Sequence, residues 1–367
     1  MKTAVITDGK YRSAIAAARE LGRAGYQVIV TQTRAECAGE PPVFSSRFAS
    51  GVMLEGSVRD PEYPARLMRV LEQYDRPVLL CVGAATLQAV SRERERFSAA
   101  ADFLVAEPQA LDCLNDKQVV HDTARDLGLK VPREYTALPD RFPVVIKPHC
   151  GEALGLTAGD RYAIAESPEA FAVLYRKMQA LDPSPIVQEK ISGDGSGVSL
   201  LLGEGSRLVR AICHRRLREY PMTGGPSTCC VAEYDLEKIA AAHRLLKEFG
   251  FVGLGMVEFK GDCILEVNPR IWGTFPLTVL SGAGFCESYA REAAREAVEY
   301  VPGNYRVGQK MRFCFNDLAA SADLLRHGRV GAGLSGLLDF FRVPEGLKDP
   351  EDRTAYRKYL RSYLRRR

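Results

Sequence analysis

The chain has 367 residues, 46% hydrophobic and 26% charged, with a net charge of +4. That length accommodates two or three domains with real cores, and the charge is too small to point to nucleic acid. No apolar run reaches the roughly 18 residues of a membrane span, and the N-terminus lacks a signal-peptide core and cleavage site. The 10 cysteines show no CxxC or Cys/His metal spacing, so reduced thiols in a cytoplasmic protein are expected.

In chain order, TAVITD and SAIAAARELGRAGYQVIVTQT read as strand, amphipathic helix, strand, with Gly25 ending the helix. PVLLCVG adds a buried strand, AATLQAVSRERERF a helix and FLVAE a short strand. Residues 1–110 are thus expected to form a Rossmann-like α/β domain, though without the GxGxxG dinucleotide fingerprint after the first strand.

From residue 111 the pattern changes. A helix capped near Asn115 and Asp116 is stopped by Gly128, and FPVVIKP is a strand ending in Lys147. The loop that follows carries Gly151, Gly155 and Gly159, and residues 149–159 are expected to hinge as a lid. SPEAFAVLYRKMQAL is a helix with Ser167 and Glu169 suited to its start. PIVQEKI is a strand, SGDGSG a glycine-rich link, and HRRLREY a strand leading into the loop PMTGGPST. A helix, LEKIAAAHRLLKEFG, precedes the strands GLGMVEF and CILEVNP. The expected divisions are 111–185, 186–315 and a C-terminal extension, 316–367. In that extension Tyr356, Tyr359, Leu360, Tyr363 and Leu364 recur at helical spacing among basic residues. This predicts a docked helix with a solvated basic face rather than a contact to an anionic membrane or nucleic acid.

Chemistry concentrates in LEVNPR. A strand sends alternate side chains to one face, so Glu266, Asn268 and Arg270 line up on an otherwise apolar strand, and buried carboxylates need a partner. Together with Glu258 they offer hard oxygen donors, which suit magnesium shared with nucleotide phosphates. Arg270 adds a fork for phosphate oxygens. A two-residue turn at Gly261 and Asp262 would set Glu258 against Leu265 and turn Glu266 to the opposite face. One shared site therefore requires a three-residue loop, Lys260 to Asp262, or a bulge of equal effect. Lys147 and Lys117 each present an ammonium to a phosphate, and backbone groups around Glu189 to Ile191 are placed to read an adenine edge. No Walker loop, GxxxxGK[ST], occurs.

This ordered set of NDK, VVIKP, a glycine loop, QEKISG, VEF and LEVNPR resembles the ATP-grasp superfamily over roughly residues 1–315. The resemblance implies an N-terminal pre-ATP-grasp domain followed by two α+β subdomains that hold ATP between them. Carried over by position, Lys117, Lys147 and Gly151 lie at the phosphates, and Gln188, Glu189, Lys190 and Ile191 at the adenine. Asp194 is the ribose-binding acid, with Glu189 as alternative. Glu258, Glu266 and Asn268 hold Mg2+, with Mn2+ allowed, and Arg270 stands beside the phosphates. The glycine loop is less dense than the family's.

The implied activity is an ATP-dependent carboxylate-amine ligase that forms an acyl phosphate and releases ADP and phosphate. Phosphoryl transfer is mostly positioning and charge neutralisation, so lysines, arginines and a metal suffice. Among Arg215, Arg216 and Arg218, Arg215 is taken as the substrate-carboxylate clamp, with backbone amides of residues 223–227 as an anion site. The partners are then small carboxylate and amine substrates, with a homodimer allowed. The alternatives are carbamoyl- or carboxyphosphate chemistry, a kinase without ligation, or a nucleotide-binding regulator tethered by the basic tail.

Overall fold

The computed structural model describes residues 2–149, 161–222 and 224–365. Its first unit runs β1 (Thr3–Ile6), α1 (Arg12–Arg23), β2 (Gln27–Thr33), β3 (Ser50–Leu54), α2 (Tyr63–Leu71), β4 (Val78–Leu80), α3 (Ala84–Arg92) and α4 (Arg94–Ser98). The strands form a parallel sheet in the order β3-β2-β1-β4. Such sheets are covered on both faces, and Ala4, Val5, Ile6 and Leu79 are accordingly solvent-free. FLVAE contributes no strand of its own, and the residue before it, Asp102, makes an isolated bridge to Val78.

Two helices lead onward, α5 (Pro108–Asn115) and α6 (Lys117–Asp126). Asp116 caps α6 by accepting from the Gln118 and Val119 amides, which sets Lys117 at the first helical position. A small antiparallel sheet follows, built from β5 (Val144–Lys147), β6 (Ala163–Ala165) and β7 (Ile186–Glu189) around α7 (Pro168–Gln179), in the order β6-β5-β7. Because β7 pairs with β5, the division expected at 185/186 falls before a strand of the smaller sheet rather than after it.

The larger sheet comprises β8 (Gly195–Leu202), β9 (Leu208–Glu219), β10 (Ser227–Glu233), β11 (Gly253–Lys260), β12 (Cys263–Asn268) and β13 (Lys310–Arg312), ordered β12-β11-β8-β9-β10-β13. It is interleaved with α8 (Leu236–Glu248), α9 (Pro276–Ser281) and α10 (Phe285–Ala293). The last three residues of the stretch expected to be a glycine-rich link, Gly195 to Gly197, are the first residues of β8. Met256 packs with Trp272, Phe275 and Phe285 in one core, and Val257 and Phe259 with α8 in another. Trp272 meets Phe275 and Phe285 edge-on at 5.3 and 5.6 Å between ring centres. Truncating such a ring to alanine costs about 3–5 kcal/mol.

The extension holds α11 (Cys314–Arg326), α12 (Val330–Arg342) and α13 (Arg353–Arg365). The tail packs as a helix. Ala355 is fully buried, Tyr356 and Tyr359 rest on the first core, and Tyr363 stacks on Phe315 at 5.2 Å.

Candidate active site

The β11–β12 hairpin turns at Gly261 and Asp262, with Lys260 opposite Cys263 and Phe259 opposite Ile264. A bulge then inserts Leu265, so that Glu258 faces Glu266 and Met256 faces Asn268. The three-residue loop does not form. The bulge has the same effect on side-chain facing, because one extra residue inverts a strand's alternation. Asn268 Nδ2 donates to Glu258 Oε1 at 3.1 Å.

An extra residue leaves its backbone groups outside the ladder, and the Leu265 carbonyl is used from the side. It accepts from His121 Nε2 at 3.0 Å and from Lys147 Nζ at 3.3 Å. Neither His121 nor its partner Glu134 was singled out in the sequence. The His121 ring is fully buried, and its Nδ1 meets Glu134 Oε1 at 2.5 Å. Burial would raise the Glu134 carboxyl, but hydrogen bonds from His121 and Gln118 and the charges of His121 and Arg125 hold it at about 2. The bulged strand is thereby fastened to α6, which also carries Lys117.

Cations surround the facing carboxylates. Lys117 Nζ lies 3.2 Å from Glu266 Oε2. Burial, opposed by the charges of Glu266 and Glu134 and aided by that of Lys117, brings the Lys147 ammonium down to about 8. For Glu258, burial dominates and raises the carboxyl despite Arg216. Burial acts the same way on Glu266, yet Lys117, Lys147 and Arg216 outweigh it and the carboxyl is lowered. Arg270 Nη1 donates to the Ile271 carbonyl at 3.0 Å, and its field reaches Glu258.

Arg216 belongs to the trio weighed in the sequence, where Arg215 is chosen instead. In β9, Arg216 and His214 share the carboxylates' face, and Arg216 Nη2 bonds Glu258 Oε2. Glycines clear its path. A Cβ on Gly195 would come 3.0 Å from Arg216 Cδ, and one on Gly197 2.4 Å from His214 Cε1. Burial, then the Arg216 charge, depresses the His214 imidazole to about 3, which keeps it neutral. Arg215, taken above as the clamp, faces the opposite side of the sheet. There it pairs with Glu233 at 2.6 Å and Asp194 at 3.3 Å, because adjacent strand residues alternate. It does not join the carboxylates.

The adenine-edge candidates sit where the small sheet gives way to β8. Gln188 is buried, and its Oε1 has no hydrogen-bond partner. Glu189 is occupied locally, its amide donating to the Arg133 carbonyl at 2.9 Å and its carboxylate accepting from the Arg133 amide at 2.8 Å. Lys190 reaches Glu166 at 3.5 Å, and Ile191 is half-buried. The Asp194 carboxylate is exposed and paired with Arg215, while its carbonyl accepts from Gly261 at 3.0 Å. Gly151 and most of the expected lid lie outside the described residues, as does Thr223 of the expected anion loop.

Among the described residues no cluster of three or more His, Cys, Asp or Glu side chains has metal-binding geometry. The donor set is two carboxylates and an amide, all oxygen. It fits an ion that takes one or two protein carboxylates, keeps waters and shares phosphate oxygens, as magnesium does. It does not fit a softer metal, which prefers nitrogen or sulfur donors.

Residues 114–274 match the model of the ATP-grasp domain. Similar solved structures include the biotin carboxylase domain of 2-oxoglutarate carboxylase from Hydrogenobacter thermophilus, in complex with MgADP, ADP and bicarbonate. It has a TM-score of 0.63 and 14% identity, over 84% of this chain and 73% of that one. A biotin carboxylase from Campylobacter jejuni gives 0.62 and 13%, over 84% and 74%. An L-amino acid ligase from Bacillus licheniformis gives 0.57 and 14%, over 84% and 78%. At such identities the likeness establishes a shared fold. No curated protein matches the sequence.

Proposed function

With residues 114–274 an ATP-grasp domain, we propose that the chain is an ADP-forming ligase that activates a small carboxylate with ATP and joins it to an amine. The observation that carries this reading is Glu258 facing Glu266 across a bulged hairpin, among Lys117, Lys147, Arg216 and Arg270. Glu258, Glu266 and Asn268 would hold magnesium, which supplies charge neutralisation at the phosphates when bound.

The chain's own residues position and neutralise. Lys117 and Lys147 meet phosphate oxygens, and Gln188 to Ile191 border the adenine. Arg216, in place of Arg215, joins Arg270 beside the reacting centre. A substrate carboxylate oxygen attacks the γ-phosphorus, the bond to the β,γ-bridging oxygen breaks, and ADP leaves. An amine then attacks the acyl carbon and expels phosphate, giving up its proton. No side-chain nucleophile is required, and neutral His214 is not the base that takes this proton.

The test is a screen of carboxylic acids, including amino acids, with an amine and ATP-magnesium, scored for ADP, phosphate and the amide product. ADP formation that depends on both acid and amine is the expected result. AMP and pyrophosphate as main products would overturn the reading, and acid-dependent ADP without amide would reassign the enzyme as a kinase. The biotin carboxylase domain similar to this chain was crystallised with bicarbonate, so bicarbonate belongs in the screen as the rival acid.

A further inference from the structure

Arg12 opens α1, where the connection from β1 meets the site's face of the larger sheet. Its guanidinium lies 3.6 Å from the centre of the Phe313 ring. Its Nη2 lies 3.9 Å from the position a Cβ on Gly273 would take. Gly273 follows shortly after Arg270, so this guanidinium borders the site without belonging to the group around the carboxylates. Tyr359 of α13 is a hydrogen-bonding neighbour, and the buried Cys230, which pairs with Arg216 in the sheet, feels both arginines.

Arg12 is half-buried and forms no ion pair among the described residues. The acid whose field it shares, Glu345, turns one oxygen to the Cys314 amide at 2.5 Å and leaves the other buried without a partner. The guanidinium over the Phe313 ring carries five N–H donors, more than its contact with Tyr359 uses, and so can still take a planar anion. The anions of the reaction proposed above already have cations. The phosphates have Lys117 and Lys147, and the reacting carboxylate has Arg216 and Arg270. Arg12 is a cation in excess of that count, at the border of the same face.

We propose that Arg12 receives a second anionic group on the carboxylate substrate, so that the acid activated is a dicarboxylate or another small acid bearing an extra negative group. This rests on the ligase reading. It also gives the C-terminal helix a part in substrate choice, since Tyr359 and Phe313 hold Arg12 in place.

The probes are propionate, succinate and glutarate with hydroxylamine as trapping amine, read as acid-dependent ADP release and as thermal shift. The wild-type enzyme should favour a diacid over propionate. Arg12→Ala should raise the KM for that diacid about tenfold or more, the loss of one charge-assisted contact. It should leave the KM for ATP and the ligand-free melting temperature near wild type, and Arg12→Lys should recover part of the loss. An unchanged diacid KM in Arg12→Ala, or equal losses for propionate and diacid, overturns the role of Arg12 while the ligase reading stands. A lowered melting temperature with an unchanged diacid KM would make Arg12 a staple between α1 and α13 and overturn it too. If no acid stimulates ADP release in the wild type, the ligase reading falls and this inference with it.

Discussion

Strand β9 supplies two half-buried arginines to two groups of acids, and the two groups differ in completeness. Arg218 is fully matched. Its Nε and Nη2 bond the two oxygens of Asp317 at 2.8 and 2.9 Å, its Nη1 bonds Asp339 at 2.8 Å, and Thr228 completes Asp317 at 3.0 Å. Arg216 is not. Its Nε is buried without a partner, and its carboxylate Glu258 faces a second carboxylate across the hairpin. The great majority of buried polar groups in folded proteins are satisfied. Residual demand beside a like-charged pair is the mark of a candidate functional site. Arg218 ties the sheet to α11 and α12, whereas Arg216 is the one proposed to act beside the reacting centre.

The sharpest way to break this contrast is Glu266→Gln, which keeps shape and removes charge. Turnover should fall by about a thousandfold, at the upper end of what one electrostatic contact contributes, with the melting temperature little changed. Near-normal activity would remove the carboxylate pair from the mechanism. Next is Arg218→Met, which leaves the buried Asp317 and the half-buried Asp339 without their cation and should cost about 3–5 kcal/mol in urea unfolding, with activity per folded molecule retained. A cost below about 1 kcal/mol would mean the matched group is not structural.

Arg216→Lys keeps a charge and loses the fork, so activity should drop by about ten- to a hundredfold while stability moves by about 1 kcal/mol or less. Equal effects on both quantities would erase the distinction between the two arginines.

Lys147 provides a pH test. Burial sets its ammonium at about 8 against 10.5 for a free lysine, so it is charged below pH 8 and neutral above. Affinity for magnesium-ATP should weaken by about tenfold per pH unit above 8, the slope of one proton. Over the same window the unfolded state binds more protons, so this residue's contribution to stability rises with pH up to about 10.5. Titration calorimetry and thermal melts from pH 7 to 10 read the opposite trends. Parallel trends, or a Lys147→Met variant with the same profile, would reject the assignment. The smallest effect belongs to Arg215→Ala. Its pairs are largely exposed, so the loss should be about 1 kcal/mol or less with unchanged turnover.

Much of this was legible in the sequence, because strands with one functional face write it at every second position. Glu266, Asn268 and Arg270 were singled out that way, although Arg270 lies past the end of β12; the cap before Lys117 was read from a capping residue at a helix start and the docked tail from helical spacing. Which arginine of β9 faces the carboxylates was not legible, since alternation gives relative facing and not which face looks at the site. Two bulges then shift it. Between Cys229 and Cys230 the partner strand advances from Arg218 to Arg216, so Leu217 is extra and Arg218 departs from the face of Arg216. His121 and Glu134 were missed for a different reason. Their role passes through a backbone carbonyl distant in sequence, which side-chain patterning does not encode.

The extra residue in β12 has a further implication. A hairpin one residue shorter, with Ile264 joined to Glu266, would run in regular register and still set Glu266 opposite Glu258. Facing alone therefore does not explain why Leu265 is there. What the longer hairpin adds is an outward-turned carbonyl that receives His121 and Lys147. Deleting Leu265 would thus separate two properties that point substitutions leave entangled, preserving the pair of acids while releasing the lysine from the strand that carries them. The hairpin acts as a caliper, its side chains gripping one object and its backbone fixing the jaw on the other side.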